Sequence, residues 1–314
     1  WGSVGVSGEH DASVEFVDIN DSRLSQTWMP TDRPSAIARA KATHAVLITI
    51  AKESVHSTSI VVNLQNVGEN NYLHVEVHAG AFSKSQVVLM HDTSGNVNGS
   101  MLAIVGDQAN LTMLSVIDAD LAVTQHLHWF TEVGRDANFL GLSITLGGGV
   151  IRTIPMVTYR APGGKAQMLG AFLLTGRQFQ EHRILVDHTQ PHCTSNVIYK
   201  GALSGEGAHS VWIGDVLVRR EATGIETYEL NRNLLLTDGP RADSVPNLEL
   251  ETGDVVSAGH ASATGRFDDE QLFYLQSRGI PEAIARQLVV RGFFVEVLNK
   301  IDDPDLRASL MHRI

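Results

Sequence analysis

The sequence predicts a mainly β body followed by a helical tail, and three observations carry that expectation. Between about Ser59 and Arg266 apolar residues alternate with others in short runs, as in Leu140-Gly141-Leu142-Ser143-Ile144-Thr145-Leu146 and in Leu73, Val75 and Val77 set between His74, Glu76 and His78. A period of two is that of a strand with one buried face. Turn-forming clusters punctuate these runs at Thr93-Ser94-Gly95-Asn96, Ala161-Pro162-Gly163-Gly164, Ser204-Gly205-Glu206-Gly207 and Thr237-Asp238-Gly239-Pro240, where Gly or Asn can supply positive φ. No helical period is sustained between them, which argues against βαβ crossovers, whereas helical punctuation begins abruptly after Arg266.

Taken in order, residues 1–58 form a short mixed lead-in. Pro34 to Ala42 reads as a helix extending towards Glu53, although the β-branched content of Val46-Leu47-Ile48-Thr49-Ile50 makes a strand the competing reading. Residues 59–266 form the β body. It can be a sandwich, a double jelly roll or a β-solenoid; no fixed repeat is visible, so a solenoid here would be irregular. Residues 267–314 form the helical end. Asp268 and Gln271 have the spacing of a capping box, Asp269 and Glu270 place acid in the first turn, and Gly279 stands where a left-handed terminator belongs, predicting a helix over 268–278. Pro281 and Glu282 open a second helix with Ile284, Leu288, Val295 and Leu298 roughly on one face, and Asp302-Asp303-Pro304 starts a third.

Composition narrows the function. The 314 residues are 43% apolar, enough for a substantial core, and 35 acidic against 24 basic residues give a net charge of −11. That sign opposes a phosphate backbone, so nucleic-acid binding is not expected. No stretch approaches the roughly 18 apolar residues of a membrane helix. The single Cys193 cannot form an internal disulfide, which fits a reducing, cytoplasmic setting. The opening WGSVGVSGEH has the pattern of neither a presequence nor a signal peptide, and its first residue, Trp1, reads as the loss of upstream residues.

Chemistry-bearing motifs are sparse. Gly163-Gly164-Lys165-Ala166 fails as a phosphate loop, because Ala166 lacks the hydroxyl that ligates Mg²⁺ and Tyr159 stands where the first glycine is needed. Gly141-Leu142-Ser143-Ile144-Thr145 lacks the second glycine of a nucleophile elbow. His126 and His128 point to one face of a strand with Glu132 further along, the arrangement of a metal-dependent jelly-roll enzyme; His74, Glu76 and His78 form a similar trio. A solvent-facing strand gives the same alternation. His188, His192 and Cys193 form a possible ligand cluster, imidazole and thiolate suiting iron or zinc, against which stands packing, since a lone Cys is commonly a small buried hydrophobe. His260 lies in a run of small residues, Gly253 to Arg266, that leaves it accessible to a partner, unless it is hydrogen-bonded within the β-to-helix junction.

That junction, HASATGRFDDEQLFYLQSRGI from His260 to Ile280, resembles the signature of the SufB/SufD family of iron–sulfur cluster assembly proteins. The family pattern has a His-Ala/Gly-type turn, a Gly-Arg pair, an acid-acid-Glu-Gln-Leu/Ile-Phe-Tyr-Leu helix and an Arg-Gly-Ile step. Leu146-Gly147-Gly148-Gly149-Val150-Ile151-Arg152, Val186-Asp187-His188 leading to His192-Cys193-Thr194-Ser195, and Asn231-Arg232-Asn233-Leu234-Leu235-Leu236 resemble family segments in the same order. The resemblance implies a right-handed parallel β-helix over 59–266 with a C-terminal helical domain and a short N-terminal α/β lead-in. It implies a cytoplasmic complex of SufB, SufC and SufD in which SufC, with ATP and Mg²⁺, binds the C-terminal helices, here through Phe273, Tyr274, Arg278, Gly279, Ile280 and Leu288.

Within the family the chain is most like SufD. The SufB pattern has a cysteine in the turn that falls at or near Pro240 and a glutamate at Ala261, so neither thiolate nor carboxylate ligation is available there. Some SufD relatives have a cysteine at the position of Ala258. The resemblance therefore implies a non-catalytic scaffold in which His260 is the candidate cluster-assembly, metal and interface residue, with His188, His192 and Cys193 behind it. A transient Fe–S cluster would form at the SufB junction, with no cofactor resident in the isolated chain; a flavin in the complex and a homodimer in isolation are left open. The alternatives are a SufB-like paralogue, a stand-alone jelly-roll metalloenzyme using His126, His128 and Glu132, and a purely structural or carbohydrate-binding solenoid.

Overall fold

The computed structural model describes residues 4–7, 12–25, 28–65, 68–92 and 94–314; Thr93 of the first expected turn and most of the opening decapeptide lie outside them. In chain order the elements are β1 (Val4–Ser7), β2 (Ser13–Asp18), α1 (Arg33–Lys41), β3 (His44–Ile50), β4 (Ile60–Gln65), β5 (Asn70–Ala79), β6 (Lys84–Asp92), β7 (Asn96–Val105), β8 (Asn110–Ile117), β9 (Thr124–Val133), β10 (Asn138–Thr145), β11 (Val150–Tyr159), β12 (Lys165–Thr175), β13 (Phe179–His188), β14 (Thr194–Ser204), β15 (His209–Val218), β16 (Ile225–Leu235), β17 (Arg241–Leu250), β18 (Val255–Arg266), α2 (Asp269–Ser277), α3 (Glu282–Leu298) and α4 (Pro304–Arg313).

Among the described residues the strands form two nine-stranded sheets, ordered β1-β4-β6-β8-β10-β12-β14-β16-β18 and β17-β15-β13-β11-β9-β7-β5-β3-β2, and from β3 onward successive strands alternate between them. Every pairing is parallel except β1 with β4 and β2 with β3. The body is thus a parallel β-solenoid of about eight turns, not a sandwich or jelly roll. Asn110, Asn138, Lys165, Thr194 and Glu226 stack in register, so these turns are 28, 27, 29 and 32 residues long. Unequal turns explain why no repeat is visible in the sequence.

The interior is a stack of apolar rows, including Val75, Met101, Trp129, Met168 and Trp212. Each turn is closed by a residue in the left-handed region: Glu53, Phe82, Gln108, Asp136, Gly163, His192 and Gly224 have φ between 50° and 82°. They form a column, the N–H of Asp136 reaching Pro162 O, that of Gly163 Pro191 O and that of His192 Thr223 O. At Gly201 the interior tolerates no Cβ, because it would collide with the Phe172 ring on the preceding turn.

Both outer faces are partly covered. α3 and α4 fold back over the first sheet, where Val290, Phe294, Val297, Leu298 and Leu310 bury against Leu114, Leu142, Ile144 and Leu169. The expected α3 stripe is therefore corrected: of Ile284, Leu288, Val295 and Leu298, only Leu298 is buried, and the first three are exposed. The lead-in covers the start of the second sheet with Val17 and Leu24 on Ala45 and Leu47. Its helix stops at Lys41, with Ala42 extended at φ −63°, ψ 133°; residues 44–50 form β3, because their β-branched run pairs with β5 instead of continuing the helix. Among the described residues no helix is long and apolar enough to cross a membrane.

Candidate functional site

At the C-terminal end of the solenoid β17 and β18 are edge strands, each with one neighbour in its sheet. Strand parity fixes what they enclose. On β16 Ile225 and Leu235 pack with the core, so the residues in the same phase, Thr227, Glu229, Asn231 and Asn233, also point inwards and are buried. Register sets Ala258, His260, Ser262 and Thr264 of β18 over them. The apolar interior thus ends in polar rows under an open rung.

His260 is the centre of this mouth. Its imidazole is 44% exposed, and Nδ1 lies 3.6 Å from Oε1 of Glu229, whose side chain is fully buried. Neither Glu229 oxygen has a well-formed hydrogen bond. Burial, reinforced by the charge of Asp215 and opposed by the Asn247 backbone N–H, pushes this carboxyl up to about 8. Gly214 makes room for it, since a Cβ there would strike Glu229 Oε2. Beside it, Asn233 Nδ2 donates to Asn231 Oδ1 at 2.8 Å, as does Ser244 Oγ from β17 at 2.6 Å, and Asn231 Nδ2 donates to Tyr199 O.

The other expected ligands are not gathered here. Cys193 is buried two strands from β18; its Sγ faces the carbonyls of Ala161 and Pro191, and burial pushes the thiol up to about 11. His188 is buried, stacks on Tyr159 at 4.9 Å and is 2.9 Å from Ser195 Oγ; burial holds it down to about 4. His192 serves the left-handed column at φ 59°. Among the described residues no group of three or more His, Cys, Asp or Glu is placed to hold a metal ion.

The outward trios meet the lead-in. Trp28 Nε1 donates to His128 Nδ1 at 3.1 Å, and His126 and Arg152 both reach Asp32. Glu132 instead faces Arg160, so the jelly-roll set does not converge on one point. His74 and Glu76 are buried, Glu76 accepting from the Ser25 backbone and lying between His74 and His78. The solvent-facing reading of these strands is corrected: a distant segment folds over them.

In the tail, Asp268 caps α2 by accepting from the Glu270 N–H; the side chain of Gln271, the other half of the expected capping box, lies outside the described residues. Phe273 and Tyr274 are 72% and 57% exposed, Leu288 is 44% exposed, and the Arg278 guanidinium stacks 5.2 Å above the Tyr274 ring. Gly279 terminates the helix at φ +83°, followed by the half-buried Ile280. An open groove runs between α2 and α3, lined by Tyr274, Leu275 and Val289. Sequence reasoning missed Glu229. Its signal was present, because counting by twos from Ile225 to Leu235 places Glu229 on the buried phase.

Fold and site define a β-solenoid with an open polar end and an apolar helical surface. The family model "SUF system FeS cluster assembly, SufBD core domain" matches residues 60–293. An iron–sulfur cluster assembly SufBD family protein of Mycobacterium tuberculosis is 45% identical over 317 residues, covering 98% of this chain and 80% of its own length. Its counterpart in Mycobacterium leprae is also 45% identical, covering 98% and 81%. The iron–sulfur cluster assembly protein SufD of Escherichia coli is 28% identical over 182 residues, 58% of this chain and 43% of its own. The chain belongs to the SufBD family of iron–sulfur cluster assembly proteins.

Proposed function

We propose that this chain is the SufD-type subunit of a cytoplasmic SufB–SufC–SufD assembly, a non-catalytic scaffold that pairs its open solenoid end with SufB and docks the SufC ATPase on its helical tail. The observation that carries the reading is His260 on an edge strand, half exposed in a polar mouth. Edge strands present unpaired N–H and C=O groups that a partner strand satisfies, so the surface next to His260 is suited to backbone pairing. The E. coli relative named SufD supports the SufD branch, as do Pro240 and Ala261 where the SufB pattern has cysteine and glutamate.

ATP and Mg²⁺ would act in SufC, whose docking surface is Phe273, Tyr274, Arg278, Gly279, Ile280 and Leu288. Because α3 and α4 bury against the first sheet, a displacement of the tail by nucleotide-driven closure would be transmitted to the solenoid and its junction with SufB, provided the two nucleotide states make different contacts. The Fe–S cluster is the cargo of that junction.

His260→Ala tests the site. It should leave folding and complex formation intact and lower the rate at which the complex matures a client iron–sulfur protein; unaltered maturation would remove the role given to the histidine.

A further inference from the structure

We propose that a polar cavity beneath the start of α4 binds a small zwitterionic amino acid, its carboxylate paired with Lys84 and its ammonium with Asp302 and the Gln86 carboxamide. The site lies far from the open rung in the strand order, among the first turns of the solenoid, and does not depend on the functional reading above.

Where α3 and α4 rest on the first sheet its outer face is apolar, with Val88 of β6 and Leu114 of β8 in the contact. Two residues earlier, in the same outward phase, stand Gln86 and Thr112, neighbours across the two strands. There the chain entering α4 does not close on the sheet. It leaves a cavity of about 310 Å³, walled by Ser59, Lys84, Gln86 and Thr112 from the solenoid and by Asp302 and Asp303 from the tail. That volume is at the small end for ligand pockets, which run to about 300–1,000 Å³.

The polar groups in this cavity are unequally satisfied. Gln86 is only 8% exposed. Its Nε2 donates to Ser59 Oγ at 2.7 Å, but its Oε1 is buried with no partner, although buried amide oxygens are ordinarily hydrogen-bonded. Asp303 is committed elsewhere: Oδ1 caps α4 by accepting from the N–H groups of Asp305 and Leu306, and Oδ2 faces Ser59 Oγ. Lys84 and Asp302 are not. Among the described residues neither side chain is hydrogen-bonded or ion-paired, to the other or to any third group.

One free cation, one free carboxylate and one orphaned acceptor specify the occupant. A metal ion would meet Lys84, and among the described residues no group of three His, Cys, Asp or Glu is placed to hold one. A phosphate would meet Asp302 and Asp303. An uncharged polyol uses neither charge. A ligand bearing both an ammonium and a carboxylate satisfies all three groups at once, through the charge-assisted hydrogen bonds that are the strongest kind. Because Lys84 and Gln86 belong to β6 and Asp302 to the connection between α3 and α4, the bound amino acid also ties the tail to the first turns of the solenoid.

The test is a saturation-transfer NMR titration of the full chain, and of Lys84→Met and Asp302→Asn, with glycine, L-serine and L-glutamine. Ethanolamine and glycerate, which are serine without its carboxylate and without its ammonium, serve as the charge-deleted probes. Far-UV circular dichroism and a thermal melt establish that both variants fold. At least one amino acid should saturate the wild-type chain at millimolar concentration, and each substitution, like each charge deletion of L-serine, should weaken binding at least about tenfold. The occupied chain should also exchange the α4 amide hydrogens more slowly than the empty one. Failure of all three amino acids to saturate overturns the site. So does a variant that binds like wild type, or ethanolamine or glycerate binding as tightly as L-serine.

Discussion

Lowering the pH from 7.5 to 5.5 should take several kcal/mol from the stability of the metal-free chain, and the size follows from where its histidines sit. Burial holds His91, His128 and His188 down to about 4 and His182 to about 3. Their surroundings require neutral rings. His128 Nδ1 accepts from Trp28, and His182 is wedged between Phe172 and Tyr199 with Thr153 Oγ1 at 2.9 Å. A histidine with a depressed folded value contributes stability above its unfolded value of about 6.5 and loses it as the pH falls, by about 1.4 kcal/mol per pH unit at most. Over this interval each of the four loses about 1.4 kcal/mol, about 5 kcal/mol together. Glu229 acts with the opposite sign. Raised to about 8, it destabilises the fold as it ionises, so acidification from 7.5 to 5.5 returns up to about 2.5 kcal/mol. The net loss is about 3 kcal/mol, a large share of a stability of about 5–15 kcal/mol. Urea unfolding followed by tryptophan fluorescence at the two pH values measures it. Glu229→Gln removes the offset, so that variant should lose more, about 5 kcal/mol. A wild-type midpoint that holds steady or rises on acidification, or a variant with the same pH dependence as wild type, would refute the reasoning.

Three further outcomes follow from packing. Phe294→Ala empties a fully buried site between α3 and the first sheet and should cost about 3–5 kcal/mol, seen as faster proteolysis around 267–281 with the solenoid still intact. Gly201→Ala pushes a Cβ into the Phe172 ring and should cost about 1–3 kcal/mol in chemical unfolding; a neutral result would mean that the stacked aromatic interior yields more than its packing implies. Cys193, buried with its thiol raised to about 11, should react with a thiol reagent only after denaturant is added, because the thiolate is the nucleophile; rapid labelling of the native chain would contradict that.

Local physics made much of the fold legible. The phase at 73–77, the turns containing Gly163, Gly205, Gly207 and Gly239, and the starts of α2 and α4 follow from alternation, positive φ and capping, and Pro281 marks the start of α3 without a side-chain cap. At 140–146 the strand is legible, but its apolar phase faces α3 and α4, and its other face is buried too. What stayed hidden depends on distant segments. Turns of 27 to 32 residues erase the repeat, and His74 and Glu76 look solvent-facing until Ser25 and Trp28 are folded over them. On α3 the sequence shows apolar residues all round; only contact with Leu142 and Leu169 separates the buried Val290 and Phe294 from the uncovered Ile284 and Leu288. His260 stands out in the sequence through its small neighbours and the family signature, whereas finding Glu229 beneath it needs both the strand parity and the register with β18.

Sedimentation velocity of the chain mixed with SufB and SufC tests the central claim most directly. A faster boundary containing all three at micromolar concentration, lost with SufC when Phe273 and Tyr274 are both replaced by Ser, is the predicted result. Separate sedimentation of the three proteins at that concentration would contradict it.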